Sequence, residues 1–165
     1  MLNRIGGLYS LAMGGNGLTI RKAQLPDAVA MQCCVEAAYR PYVPRIGRPP
    51  GPMLDDYPEI VHQHQAFVAE TRGQIVGVLV LIRKDNGILR DNVAVHPEHQ
   101  GKGLGRRLIE LAESEARDQG FAHLDLYTHE RMTENIEMYK RLGYMEIERG
   151  IERGYQRVYM RKSLS

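Results

Sequence analysis

One stretch of the sequence combines alternating glycines with basic residues. Gly101, Gly103 and Gly105 follow shortly after an aliphatic run that ends at Val95, and they lead into an amphipathic helical pattern. Glycines let a backbone approach a ligand closely, and the free amides at a helix N-terminus attract anions. Basic side chains add positive charge at the same place: Lys102, Arg106 and Arg107. The spacing therefore predicts a cradle for a phosphate or pyrophosphate.

Two common phosphate motifs do not fit this segment. A Walker loop needs Ser or Thr after its Gly-Lys pair, but Gly103 stands at that position. The dinucleotide fingerprint needs a glycine at position 106, which is Arg. The pattern favours a pyrophosphate site of a third kind, and an enzyme that uses the loop for NAD stays as an alternative.

The segment resembles the signature of the GNAT acetyltransferases. The resemblance begins with Gln100-x-x-Gly103-x-Gly105 after a strand that ends in Val95-His96-Pro97. Two later blocks are also similar to motifs of that family: Asn135-x-x-x-Tyr139-x-x-x-Gly143-Tyr144 and Tyr159-Met160-x-Lys162. Together they cover about residues 18–164, and their order and separation are harder to produce by chance than each motif alone.

The resemblance implies that the chain binds acetyl-CoA. In that family the pyrophosphate rests on the loop that corresponds here to Gln100, Gly101, Lys102, Gly103, Leu104, Gly105 and Arg106. The pantetheine arm runs beside the strand that corresponds to Val93, Ala94 and Val95, as an added strand would. Asn135 would contact the cofactor, and Tyr139 would lie near its sulfur.

Acetyl transfer to an amine needs a base for the amine, donors for the oxyanion and an acid for the departing thiolate. The family match makes Tyr139 the candidate acid, although packing on one helix face with Ile136 and Leu142 would also explain it. Strict alternation along the strand would place Leu89, Asp91, Val93 and Val95 on one face. Asp91 is then a lone carboxylate in an apolar row and the candidate base, or only a binder of the acceptor's cation. Glu70 and a chain of waters are weaker candidates.

The acceptor is expected to contact residues near a proline-rich segment, residues 40–52. The candidate substrate-binding residues are Tyr39, Tyr42, Arg45, Tyr57 and Asp91. Family members form their acceptor pocket in this region, whereas packing by the tyrosines is the competing interpretation. No metal site is expected, because the pairs His62/His64 and His96/His99 lack cysteine or carboxylate partners at familiar spacing.

The hydrophobic pattern predicts the elements that must position these residues. Strands are expected over residues 18–22, 66–70, 74–83, 88–95, 121–127, 144–148 and 155–162. Helices are expected from Pro26-Asp27 to about 39, from 55 or 56 through 62, over 103–119 and over 133–142. This is an α/β pattern, and the resemblance implies a mixed, mostly antiparallel sheet of six or seven strands with a central splay and about four helices. Residues 1–17 are expected to be a flexible glycine-rich tail, and residues 18–165 a single acetyltransferase domain.

Composition narrows the class of protein. The chain has 165 residues, 43% hydrophobic and 25% charged, and a formal net charge of +2. This predicts one globular domain, with neither the basic excess of a nucleic-acid binder nor a membrane-spanning segment. Cys33 and Cys34 are adjacent, which excludes a disulfide scaffold, and the first 17 residues lack the apolar centre of a signal peptide.

The sequence therefore predicts a cytoplasmic acetyl-CoA-dependent N-acetyltransferase that acts on a primary amine, most simply of a small molecule. A homodimer is one candidate assembly. The main alternative is a module that binds or senses acyl-CoA without catalysis.

Overall fold

The structure is a computed structural model that describes residues 17–165 in full and two short strands before them. These strands, β1 (Asn3–Ile5) and β2 (Leu8–Ser10), form a hairpin whose second strand pairs with β3. The other positions of the expected flexible tail up to residue 16 lie outside the described residues.

Seven strands come from the fully described part of the chain. They are β3 (Thr19–Lys22), β4 (Gln65–Thr71), β5 (Gln74–Lys84), β6 (Gly87–Val95), β7 (His123–His129), β8 (Met145–Glu152) and β9 (Tyr155–Ser163). The helices are α1 (Ala28–Tyr39), α2 (Val43–Ile46), α3 (Tyr57–Gln63), α4 (Leu104–Asp118) and α5 (Thr133–Arg141). The proline-rich segment forms short turns, of which the one-turn α2 is the longest.

The strands form one open sheet in the order β1-β2-β3-β4-β5-β6-β7-β9-β8. Every neighbouring pair is antiparallel except β6 and β7, which are parallel. The expected mixed, mostly antiparallel α/β fold is confirmed.

Helices cover both faces of the sheet. Leu79 and Leu81 of β5 belong to the core under α4 and α5, whereas Val78 and Val80 belong to the core under α1 and α3. Successive residues of a strand point to opposite faces, so a strand covered on both sides is aliphatic throughout. This explains the almost continuous aliphatic sequence of β5.

A bulge in β6 changes which residues share a face. Val80 pairs with Asn92 and Leu81 with Arg90, so Asp91 is the extra residue. Ile88 lies in the α4-side core and Val93 packs against the same core, although strict alternation would put them on opposite faces. The predicted row of Leu89, Asp91, Val93 and Val95 on one face is therefore broken at Asp91, because one inserted residue inverts the alternation beyond it and puts Leu89 on the face opposite Val93.

The two central strands diverge as expected. β6 and β7 pair only where Ile88–Arg90 meets Leu124–Leu126, yet β6 continues to Val95 and β7 to His129. The unpaired ends form the central splay that the sequence predicted.

No helix within the described residues has both the length and the apolar character needed to cross a bilayer. In the same part of the chain, His, Cys, Asp and Glu side chains form no group of three or more that could ligate a metal.

Candidate active site

A cavity of about 270 Å³ lies where β6 and β7 diverge. Its walls come from α1, β6, β7, α5 and the start of α4, together with the proline-rich segment. The predicted site residues that line it are Tyr39, Tyr42, Asp91, Val93, Ala94, Val95, Gln100, Gly105, Asn135 and Tyr139. Tertiary structure thus brings residues from four separate parts of the sequence to one place.

The N-terminus of α4 forms one end of this cavity. Gly103 precedes the helix with φ = 83°, and no side chain of the described residues caps the helix. The first bond of the helix runs from the Arg107 amide to the Gly103 carbonyl, so the amides of residues 104–106 have no acceptor within the helix. Gly101 also has positive φ, at 75°, which only glycine adopts readily. These free amides suit an anion.

Several residues of the predicted pyrophosphate-binding loop do not line the cavity with their side chains. Gly101, Lys102, Gly103, Leu104 and Arg106 are not among the cavity-lining residues. The Leu104 side chain is buried in the core, Lys102 is exposed, and Arg106 forms an exposed ion pair with Glu110 at 3.1 Å. A cofactor-binding role for this group therefore rests on its amides and on the positive charge nearby.

Side chains from outside the sheet hold the splayed end of β6. Gln100 donates from Nε2 to the Val95 carbonyl at 2.9 Å, and the Tyr39 hydroxyl is 2.8 Å from Oδ1 of Asn92 and 3.2 Å from the Val93 carbonyl. Burial raises the pKa of Tyr39, which keeps its hydroxyl protonated as a donor. Asn135, half-buried on α5, makes no side-chain hydrogen bond with the described residues and is free to bind a ligand.

Tyr139 belongs to the core and to the cavity at once. It is 3% exposed and its ring packs edge-on against Tyr144, with 5.9 Å between centroids. Its hydroxyl oxygen accepts a hydrogen bond of 2.8 Å from Nη1 of Arg90. Sequence reasoning missed Arg90, although an arginine within an aliphatic strand was the available signal.

Asp91 is held by a second tyrosine. The Tyr127 hydroxyl donates to Oδ1 of Asp91 at 2.9 Å, and the Arg157 guanidinium carbon lies 4.0 Å from the Tyr127 ring centroid. Burial, and then the charge of Asp91, raise the pKa of Tyr127, so this phenol remains a donor. Neither Tyr127 nor Arg157 was predicted, because nothing in their local sequence marks them.

A second cavity, of about 800 Å³, meets the first at Asp91. Both cavities are lined by Gly51, Asp91, Tyr127, Tyr155 and Arg157. Asp55 lines the second one, where burial and the nearby charge of Asp91 raise the pKa of the Asp55 carboxyl to about 6. A molecule in the larger cavity can therefore reach the carboxylate that also borders the smaller one.

Two predicted substrate-binding residues have other partners. Arg45 pairs with Glu134 at 2.9 Å, donates to the Arg131 carbonyl and lines neither cavity. Tyr57 is fully buried and donates to the Pro52 carbonyl at 2.7 Å. These contacts tie the proline-rich segment to the rest of the fold, so we assign both residues a structural role.

Glu70, the weaker candidate for the base, is also engaged elsewhere. Its carboxylate pairs with Nε of Arg21 at 3.0 Å, and it lines neither cavity. Asp91 is the remaining carboxylate candidate on the wall of the smaller cavity.

The chain is similar to known acetyltransferases along most of its length. It is 30% identical over 133 residues to an uncharacterised N-acetyltransferase of Chlorobaculum tepidum, which is 79% of this chain and 77% of that protein. It is 28% identical over 95 residues to rat N-acetyltransferase family 8 member 2, which is 52% of this chain, and it spans only 41% of that relative's length.

The fold is likewise shared with solved structures. The PaiA N-acetyltransferase of Thermoplasma acidophilum, solved in complex with coenzyme A, superposes with a TM-score of 0.75 at 15% identity. The match covers 89% of this chain and 99% of that one. Residues 62–146, just over half of the chain, match the family model of the GNAT acetyltransferase domain. With the motifs, the splayed sheet and these relatives in agreement, the chain belongs to the GNAT acetyltransferase family.

Proposed function

We propose that the protein transfers the acetyl group of acetyl-CoA to a primary amine of a small molecule, by direct attack in a ternary complex. The observation that carries the proposal is that one cavity is bordered by Gly105 at the uncapped helix terminus, by Tyr139 and by Asp91. An anion-binding end, a proton donor and a proton acceptor thus surround one space.

The residues present fit acetyl-CoA. Free amides at the start of α4 suit its pyrophosphate, and glycines at 101 and 103 leave the approach open because nothing lies within 4 Å of the Cβ position of either one. The splayed strand at Val93–Val95 and the free amide of Asn135 suit the pantetheine arm. When bound, acetyl-CoA supplies an acetyl group on a thiolate leaving group.

Tyr139 and Asp91 then divide the proton transfers. Asp91, directly or through a water, takes one proton from the bound ammonium, which frees the nitrogen lone pair to attack the acetyl carbon, and the second proton that the nitrogen loses as the amide forms goes to solvent. Tyr139 gives its hydroxyl proton to sulfur as the carbon–sulfur bond breaks, and recovers one from solvent. Tyr127 holds the Asp91 carboxylate in place through its hydrogen bond. The products are an acetamide and the free thiol of coenzyme A.

The larger cavity suits the acceptor. Its volume of about 800 Å³ is that of a small-molecule site. Two of its carboxylates, Asp125 and Glu152, are neutralised by Arg161 and Arg157, whereas Asp55 and Asp91 form no ion pair within 4 Å with described residues. These two free carboxylates suit the amino group of the acceptor, and Arg48, Lys84 and Arg153, which line the same cavity without an ion pair among the described residues, suit an anionic group elsewhere on it.

Calorimetry and product analysis test the proposal. Coenzyme A is titrated into the folded protein, and acetyl-CoA is then incubated with a panel of small amines and, separately, with short peptides. We expect binding and an N-acetylated small amine. Mass spectrometry is the suitable detection, because Cys33 is exposed and would react with a thiol dye, whereas burial raises the pKa of Cys34 to about 12.

Other outcomes separate the alternatives. Binding of coenzyme A without any product would favour a non-catalytic acyl-CoA-binding module. Acetylation of peptides alone would move the acceptor to a protein terminus. A thermal shift with NAD and no heat with coenzyme A would support a NAD-type enzyme instead.

A further inference from the structure

Arg90 is a buried cation that has no anionic partner among the residues that the structure describes. It lies in β6 and is only 3% exposed. It forms no ion pair within 4 Å with any carboxylate in the described residues, and its Nε has no hydrogen-bond partner there. Removing a charge from water is unfavourable even after the protein relaxes, so an unpaired buried guanidinium lowers the stability of the fold.

Among the described residues, Arg90 donates a side-chain hydrogen bond only to the Tyr139 hydroxyl. Nη1 donates to that oxygen at 2.8 Å, and the guanidinium carbon lies 4.7 Å from the centroid of the same ring. A guanidinium can only donate, so the Tyr139 oxygen must be the acceptor. The phenol hydrogen is therefore left to point to another partner, and both residues border the cavity.

We propose that Arg90 is a positioning residue for the transfer: it fixes the Tyr139 hydroxyl with its hydrogen directed into the cavity and favours release of that proton to the departing sulfur. The inference rests on the proposed function. As the proton leaves, negative charge develops on the Tyr139 oxygen, and a preorganised cation beside that oxygen stabilises it. The overall proton balance is unchanged, because Arg90 keeps all its protons throughout.

A stability measurement separates this role from a structural one. Replacement of a buried charge by an apolar side chain of similar volume is often neutral or stabilising. We expect Arg90→Met to unfold at the same temperature as the wild type or at a higher one. Arg83→Met, which changes an exposed arginine of β5 outside both cavities, is the matched control.

Kinetics and cofactor binding then test how Arg90 acts. We expect Arg90→Met to lower kcat by about 10-fold or more, and Tyr139→Phe by about 100-fold, the usual range for loss of a general acid. The kcat of the double variant should lie within about threefold of the kcat of Tyr139→Phe. If Arg90 acts only through Tyr139, its replacement has no further effect once the Tyr139 hydroxyl is gone. Arg90→Lys keeps one cationic donor and should recover part of the loss. Coenzyme A affinity from calorimetry and KM for acetyl-CoA should stay within about threefold, since the proposed role of Arg90 is exerted on the Tyr139 oxygen as its proton leaves and not on the bound cofactor.

Each contrary result overturns the inference. It fails if Arg90→Met keeps the wild-type kcat, if the losses of the two single variants multiply, or if coenzyme A affinity falls in parallel with kcat. If Arg90→Met unfolds at a lower temperature than Arg83→Met, Arg90 stabilises the fold and its role is structural. If the wild type itself acetylates no acceptor, the proposed function fails, and the inference fails with it.

Discussion

Asp91 faces two cavities and accepts a hydrogen bond from Tyr127. Whether it takes the amine proton itself or only holds the acceptor's cation is a question that one substitution answers. We expect Asp91→Asn to lower kcat by about 100-fold and to change the shape of the pH–rate profile, because the amide cannot accept a proton.

Asp118→Asn is the control for this test, since Asp118 is exposed at the end of α4. A profile of wild-type shape from Asp91→Asn would assign the proton transfer to water. A raised acceptor KM at unchanged kcat would reduce Asp91 to a cation-binding residue.

Asp55 predicts a pH dependence of acceptor binding. Burial, and then the charge of Asp91, raise the pKa of its carboxyl from 3.8 to about 6. Asp55 is therefore neutral in the folded protein below about pH 6 and charged above it. We expect KM for a cationic acceptor to fall severalfold as the pH rises through this value, on the scale of one exposed charge pair. Asp55→Asn should remove this dependence of the acceptor KM on pH and leave KM for acetyl-CoA unchanged. A wild-type acceptor KM that does not vary between pH 5 and 7.5 would contradict a role of Asp55 in acceptor binding.

At the scale of elements, the close approach of α4 to β5 determines where the phosphate cradle lies. A Cβ on Gly77 would stand 3.0 Å from the Ala69 Cβ, 3.2 Å from Leu108 Cδ1 and 3.3 Å from Leu104 Cδ2. Gly77→Ala therefore overpacks the core, and we expect a loss of about 1–3 kcal/mol in the free energy of unfolding. Because Leu104 begins α4, the shift of that helix should also weaken coenzyme A binding.

Gly150→Ala is the matched control for Gly77→Ala. Gly150 lies in the exposed strand β8, its φ is not positive, and nothing stands within 4 Å of its Cβ position. This variant should change the free energy of unfolding by no more than about 0.5 kcal/mol. Urea unfolding measures the free energy of unfolding of both variants, and calorimetry measures their affinity for coenzyme A. Equal free energies of unfolding for the two variants would show that α4 can shift to make room for the added methyl group without loss of stability.

For the whole molecule, two carboxyl groups make the free energy of unfolding depend on pH in opposite directions. The Arg21 hydrogen bond holds the pKa of Asp27 below its ordinary value of 3.8, in a network that joins β3 to the start of α1 and to β4. A lowered pKa means that this stabilisation is present above about pH 4 and is lost as the pH falls through the folded value. Asp55 has a raised pKa, so its contribution falls as the pH rises from about 4 to 6 and is level above that.

These signs give a test by unfolding at two pH values. We expect Asp27→Asn to be less stable than the wild type at pH 7, with a difference that shrinks at pH 3, because pH 3 lies below the ordinary pKa of 3.8 at which the carboxyl of the unfolded chain becomes protonated. Asp55→Asn should be at least as stable as the wild type at pH 7. A constant Asp27→Asn difference across the range would show that its hydrogen bonds, and not its charge, stabilise the fold.

Much of the fold and one end of the site can be predicted from local sequence. The aliphatic run of β5 indicates a doubly covered strand, and the alternate glycines at 101–105 indicate the turn before α4 and its free amides. The position of Tyr139 within its motif places it near the cavity. These features depend on residues that are close together in the sequence. Within one strand or helix, the spacing of two residues determines whether their side chains point to the same face.

The partners that shape the chemistry are distant in sequence, and only tertiary packing could select them. Arg90 and Tyr139 are 49 residues apart, Tyr127 and Asp91 36, and Arg45 and Glu134 89. The β6 bulge also depends on pairing with β5, and it puts Val93 on the same face as Ile88, where strict alternation would separate them. The sequence shows which residue types are present and how they are spaced along the chain. Which of them come into contact is decided by how the strands and helices pack, because each contact depends on the packing of the whole core.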